Sequence, residues 1–189
     1  MGERTEAQGT RAVATGYATK AMGENSFTAG ENTQAEGRNS VATGYKTKAT
    51  GTNAAAFGEG SEATGVVYFT AGLNNKASGQ SSTALGNLSQ ATGVASFAGG
   101  LRTEASGVAS TAMGDSTKAT GVIFTAMGWK TEASGQQSTA IGTLSKASAH
   151  SSFAAGNQTE ASGDASTAMG METKATGVIS TAMGWKTEA

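Results

Sequence analysis

The sequence predicts an all-β fold: a parallel β-roll, in which 14-residue coils each contribute two short strands to a flattened solenoid. Three observations predict it. Stepping by seven from Gly2 to Gly184 meets glycine at 26 of 27 positions, Ala149 being the exception. Two residues before each of these positions, from Gly9 onward, stands Ala, except at Thr28 and Thr70. The segment 103–130, TEASGVASTAMGDSTKATGVIFTAMGWK, returns 56 residues later as 159–186, identical at 24 of 28 positions. A chain this periodic stacks one supersecondary unit many times.

Other repetitive folds are excluded by composition. Collagen needs glycine at every third position and abundant proline, whereas this chain has 28 Gly and no Pro. A coiled coil needs large apolar residues at two heptad positions; here the recurring pair is Ala and Gly, and each helical Gly costs about 1 kcal/mol.

The five-residue phrase small–x–Ala–x–Gly alternates, so its first, third and fifth residues share one face of a strand and its second and fourth share the other. A turn of two residues completes the seven. Successive phrases differ in polarity at the second and fourth positions. One set is wet: Glu104 and Ser106, Lys118 and Thr120, Glu132 and Ser134, Lys174 and Thr176. The other is dry: Thr111 and Met113, Thr125 and Met127, Thr139 and Ile141, Phe153 and Ala155. The true period is therefore 14, one wet and one dry strand per coil, with Ala, Gly, Ser and Thr forming a thin layer between two sheets. The opposite facing would bury the Glu and Lys side chains. We expect a single β-roll domain over residues 1–189, about thirteen and a half coils, with no linker, stalk or anchor within it. At about 4.8 Å per rung it would be about 65 Å long.

So thin a core stabilises a lone roll poorly, because alanine buries little apolar area. The dry strands also direct Phe27, Val41, Phe57, Phe69, Leu85, Phe97, Met113, Met127, Ile141, Phe153, Met169 and Met183 outward. A stripe of that length exceeds the patches that soluble monomers expose, so burial against further copies of the chain is expected.

Two more ladders follow from the period. On the wet strands Glu104, Lys118, Glu132, Lys146, Glu160 and Lys174 alternate in sign, one coil apart. A slip of one coil would bring like charges together, so the ladder reads as exposed and register-fixing. In the turns after dry strands, large residues recur on every second coil: Tyr17, Tyr45, Leu73, Leu101, Trp129 and Trp185, with Asn157 interrupting. After wet strands the same alternation gives Val66, Val94, Val122, His150 and Val178. Contact at a subunit seam is the expected use of these large turn residues; a platform for a glycan is the alternative.

Composition narrows function further. A net charge of −1 without basic clusters supplies no nucleic-acid footprint. No apolar run of about 20 residues is present, so no membrane insertion by this chain is expected. There is no cysteine, and His150, the single histidine, has no partner at ligand spacing. No set of acid, base and nucleophile converges, so neither an enzyme nor a cofactor is expected. A column of Thr92, Ser106, Thr120 and Ser134 resembles an ice-binding face, but a charged column runs beside it.

The phrases Ser40-Val41-Ala42-Thr43-Gly44 and Ser138-Thr139-Ala140-Ile141-Gly142 resemble the head repeats of trimeric autotransporter adhesins of the YadA type. That resemblance covers essentially the whole chain. It implies a left-handed parallel β-roll, a homotrimer packed through its apolar strands, exposure at the cell surface, and a matrix protein or another cell as partner; a virion surface goes with the alternative of a viral or phage fibre. A self-assembling fibre subunit, growing end to end or laterally, is the alternative use of the same fold.

Overall fold

A computed structural model describes residues 2–189 as strands, turns and bends. The chain forms two compact units, Met1–Ala95 and Ser96–Ala189, and each is a parallel β-solenoid with two strands per 14-residue coil. In the first unit long strands run from Val13–Tyr17 to Thr83–Asn87 and alternate with short ones from Glu6–Ala7 to Gln90–Ala91. In the second, long strands run from Phe97–Leu101 to Thr181–Trp185, and short ones from Glu104–Ala105 to Lys174–Ala175. Long strands pair only with long and short only with short, always in parallel and one coil apart: Met113 with Met127, Glu104 with Lys118.

The alternation read from the sequence is the observed one. Ala105, Ala112, Ala119 and Ala126 point inward and are fully buried, as are Ser110, Thr117 and Thr131 beside them. The interior is thus one alanine side chain deep, flanked by columns of hydroxyl-bearing residues. Asn75 takes one of the hydroxyl positions and is satisfied there. Its side-chain amide donates to the carbonyls of Ala71 and Gly86 at 2.8 and 2.7 Å, and its Oδ1 accepts the Ser89 N–H at 2.9 Å.

The strand lengths correct the expectation of five residues plus a turn of two. The dry strand includes the residue after its glycine and mostly starts one residue later, giving five residues as in Thr125–Trp129; Ala54–Glu59 and Tyr68–Leu73 have six. The wet strand is only two residues long, as in Glu132–Ala133. Beyond it the Ala147 carbonyl accepts both the Ser134 N–H at 2.9 Å and the Gly135 N–H at 3.3 Å. The chain then closes a tight turn, with Ser138 N–H donating to the Gly135 carbonyl at 3.1 Å. Gln137, third in that turn, has φ +58°, the mark of a type II turn.

Each coil therefore has two corners. The leading corner precedes the long strand, as Val122–Ile123 precedes Thr125–Trp129; the trailing corner ends it, as Trp129–Lys130 does. The second residue of each corner is left-handed whatever its type: Lys130 at φ +50°, Ile123 at +64°. That conformation turns its N–H onto the coil before, Lys130 onto the Asp115 carbonyl and Ile123 onto that of Val108, both at 2.8 Å. The backbone ladder is so carried around the bends, and buried polar groups of the main chain are paired.

The two glycine columns are not equivalent. Gly128, on a long strand, has φ +126°, and a Cβ there would lie 1.9 Å from the Gly142 carbonyl oxygen. Short-strand glycines are equally crowded, Gly135 against the Ala149 oxygen at 1.9 Å, but have ordinary φ. Ala149, the one break in the glycine rhythm, falls in that second column, where φ is ordinary and only the close approach has to be relieved. Its neighbour His150 is an exposed corner residue, its N–H donating to Asp164 Oδ1 at 3.2 Å. Gly128→Ala is expected to lower stability by at least about 1–3 kcal/mol, because it combines a disfavoured φ with a backbone clash. Gly163→Ala, at the equivalent of Ala149, should lower the thermal midpoint much less. Equal losses in paired melting curves would show that crowding alone, and not φ, holds the glycines.

Candidate functional site: an apolar face and its two corners

The outer face of the long strands carries the apolar residues in two columns, at the second and fourth positions of the phrase. They are not placed at random. Where the second position is large the fourth is small: Phe27 with Ala29, Phe69 with Ala71, Phe97 with Gly99, Phe153 with Ala155. Where the second is small the fourth is large: Ala55 with Phe57, Thr83 with Leu85, Thr111 with Met113, Thr167 with Met169. From Phe27 onward, each rung so carries one bulky side chain, Val41, Met127, Ile141 and Met183 filling the remaining ones. The Phe97 ring lies over the gap at Gly99. A Cβ on Gly99 would touch the Phe97 ring at 2.8 Å, and Phe57 and Phe69 on adjacent coils stack at 5.7 Å with a 45° tilt. Phe27, Phe69, Met113, Ile141, Met169 and Met183 are exposed; Val41, Phe57, Leu85, Phe97, Met127 and Phe153 are half-buried.

The trailing corners border this face. Tyr17, Tyr45, Trp129 and Trp185 are exposed there, and Leu73 and Leu101 are half-buried. The left-handed residue that follows folds its cation back over the ring: Lys46 Nζ lies 4.8 Å from the Tyr45 centroid, Lys130 4.4 Å from Trp129, Lys186 5.0 Å from Trp185. Arg4 caps Tyr17 at 5.6 Å and donates to its hydroxyl at 3.0 Å. The Lys46 ammonium is held above the usual lysine range, first by its hydrogen bond to Tyr45 and the charge of that group, with burial opposing and the charges of Glu31 and Glu59 adding less. The aromatic corners are therefore amphipathic: a ring for an apolar neighbour and a fixed cation beside it.

On the opposite sheet the charged column runs with Glu104 beside Lys118, Lys118 beside Glu132, and on through Lys146 and Glu160 to Lys174. Direct pairs in the equivalent column of the first unit are long, Lys20 to Glu6 at 3.6 Å and Lys48 to Glu62 at 3.9 Å, with all four side chains open to solvent over 39–48% of their surface. Such pairs contribute at most about 1 kcal/mol each. Among the described residues no group of three His, Cys, Asp or Glu side chains is placed to hold a metal ion.

Sequence reasoning missed two residues. Tyr68 and Phe124 stand at an inward position that is Ser or Ala in the other coils, and both are buried, at 6% and 2% exposure. Each fits over a glycine three residues earlier: a Cβ at Gly65 or Gly121 would fall on its ring. The Tyr68 hydroxyl donates to the Ser78 carbonyl at 3.3 Å. The signal is present in the sequence, an aromatic in the small-residue column directly after Gly65-Val66-Val67 and again after Gly121-Val122-Ile123.

Reversing one charge tests what the ladder does. Lys146→Glu sets a carboxylate between those of Glu132 and Glu160, one rung from each. It is expected to reduce stability by about 1 kcal/mol at low salt, with recovery at high salt. A melting midpoint that does not respond to the substitution at any ionic strength would remove the register role from this column.

No curated protein matches the chain. The YadA head domain repeat, as a two-copy unit, matches residues 4–27, 29–47, 49–66, 77–103 and 105–122, and then, in overlapping copies, 125–145, 133–159, 147–173 and 161–187. Two of the gaps, 67–76 and 123–124, contain Tyr68 and Phe124, the inward aromatics that depart from the repeat. With its period, its two-strand coil and this match over most of its length, the chain belongs to the YadA head domain family.

Proposed function

We propose that the chain acts as the non-enzymatic head of a trimeric surface adhesin. In this reading three chains bring the outer faces of their long strands together around a common axis and present the short-strand sheets to the surroundings, outside the cell. The observation that carries it is the succession of single bulky apolar residues, one per rung, on a face that none of the described residues covers. Side chains of this size contribute about 1.5–3 kcal/mol each when withdrawn from water, which is the driving force the thin alanine interior lacks. The charged, regularly spaced outer sheet is the surface left for attachment to a matrix protein, a glycan or another cell. Membership of the YadA head family supports the same assignment.

Light scattering over a wide range of concentration tests the reading. A fixed mass about three times 18.6 kDa is the expected result. A mass that grows with concentration would favour an open fibre. Replacing Met113, Met127 and Met169 together with Asp should reduce the mass to one chain, while Glu132→Gln with Glu160→Gln should leave it unchanged. Retention of the full mass by the Met variant would exclude the long-strand face as the interface.

A further inference from the structure

Sulfur is sorted between the two units. On the outer face of its long strands the first unit carries Phe27, Val41, Phe57, Phe69 and Leu85, and no methionine. The second carries Phe97, Met113, Met127, Ile141, Phe153, Met169 and Met183, so four of its seven bulky rungs end in a thioether. These four form two pairs on adjacent coils, Met113 beside Met127 and Met169 beside Met183. Among the described residues the first unit holds one methionine, Met22, exposed directly after the short strand Lys20–Ala21.

The sorting divides the apolar face by chemistry, not by polarity. Phe, Val, Leu and Ile are inert to peroxides, whereas a thioether is oxidised to its sulfoxide, which turns a flexible apolar side chain into a polar one and disrupts methionine-rich contacts. The chain has no cysteine, so no thiol competes for the oxidant. Within one chain Met113, Met169 and Met183 are exposed and Met127 is half-buried. Where other copies cover the face, local opening of a few coils at a time brings the sulfurs to water, and a coil one alanine deep has little to resist such opening.

We propose that the methionine stripe is a redox switch, which lets a peroxide release the docked face of the second unit while the first unit stays docked. In the step, the thioether sulfur takes one oxygen atom from hydrogen peroxide. The O–O bond breaks, an S–O bond forms, the sulfur is oxidised by two electrons, and the second oxygen leaves as water. Each second unit then presents four polar sulfoxides where the contact requires apolar groups, and desolvating them opposes closure. A dithiol-driven sulfoxide reductase reverses the step: the sulfoxide oxygen leaves as water and the dithiol becomes a disulfide. The inference rests on the trimeric reading and adds how part of that contact is let go.

Hydrogen peroxide added to the assembled protein tests the switch. Peptide mass spectrometry reads sulfoxide at each methionine, amide hydrogen exchange reads the protection of each unit, and light scattering reads the mass. Met22 should oxidise first and the four stripe residues after it. The long strands from Thr111–Asp115 to Thr181–Trp185 should then exchange at least about tenfold faster, the loss expected from a desolvated polar group, while those from Phe27–Glu31 to Thr83–Asn87 keep their protection. Sulfoxide reductase with dithiothreitol should restore the slow exchange. The combined variant Met113→Leu, Met127→Leu, Met169→Leu and Met183→Leu, close in volume, should assemble and not respond to peroxide. Three results would each overturn the switch and leave the trimer standing: stripe sulfurs still reduced once Met22 is fully oxidised, unchanged exchange after their oxidation, or an equal loss in the Leu variant. A one-chain mass before any oxidant is added would overturn both.

Discussion

The structure depends on one constraint: each coil must return in fourteen residues to lie directly on the coil before it, so that the main chain can hydrogen-bond all the way round. The interior is too thin to enforce this. Its alanine side chains withdraw little apolar area individually, and the buried Ser and Thr hydroxyls add polar groups that need partners. What enforces it is the backbone, through parallel pairing of the strands and the left-handed corner residue that recurs every seven positions. Glycine follows from the same requirement. On the long strand it supplies both a positive φ and the close approach of neighbouring coils; on the short strand only the approach, which is why Ala149 can stand there.

Much of this is legible in the sequence. The 14-residue period, the facing of each strand and the apolar stripe all follow from alternation, since a position's side is set by its parity within the phrase and a charged residue cannot turn inward. Polarity alone thus places Glu104 and Met113 on the sheets where they are found. The short strand reads as too long because the chain bends into its turn directly after the inward alanine, as after Ala133 and Ala147, a bend that carries no residue signature. The left-handed corners carry their usual residue signature only in the first unit, at Asn25, Asn32, Asn39, Asn53, Gly60 and Asn74. Conformations usually assigned to Gly or Asn are adopted elsewhere by Lys130, Ile123 and Glu172, since the ladder overrides local preference. Tyr68 and Phe124 are hidden by the strength of the repeat, which assigns their column to small residues.

The charged column shows the limit of reading energetics from pattern. Its alternation is faithful, yet the direct pairs of the first unit are long and solvated, so its contribution lies in disfavouring wrong registers rather than in holding the right one. The corners are different. A left-handed position tolerates many residue types with modest strain, so what occupies it is free to be set by another requirement. Aromatic rings backed by cations on one corner, and strained Val and Ile on the other, are choices the roll does not need for itself.

These features describe a division of labour in how the chain uses apolar side chains. A coil only one alanine deep cannot enclose Phe, Met or Trp, apart from the two aromatics that fit over Gly65 and Gly121. The bulky residues are consequently displaced to the outside, one per rung on the long-strand face and in pairs at the corners. On the trimeric reading the principal hydrophobic core of the protein then lies between chains and not within them. Folding of a coil and docking of its neighbours become coupled, because the surface that would make a lone roll unstable is the surface that the other copies bury. On the same reading the short-strand sheet has no packing duty, and its charged column stays in water.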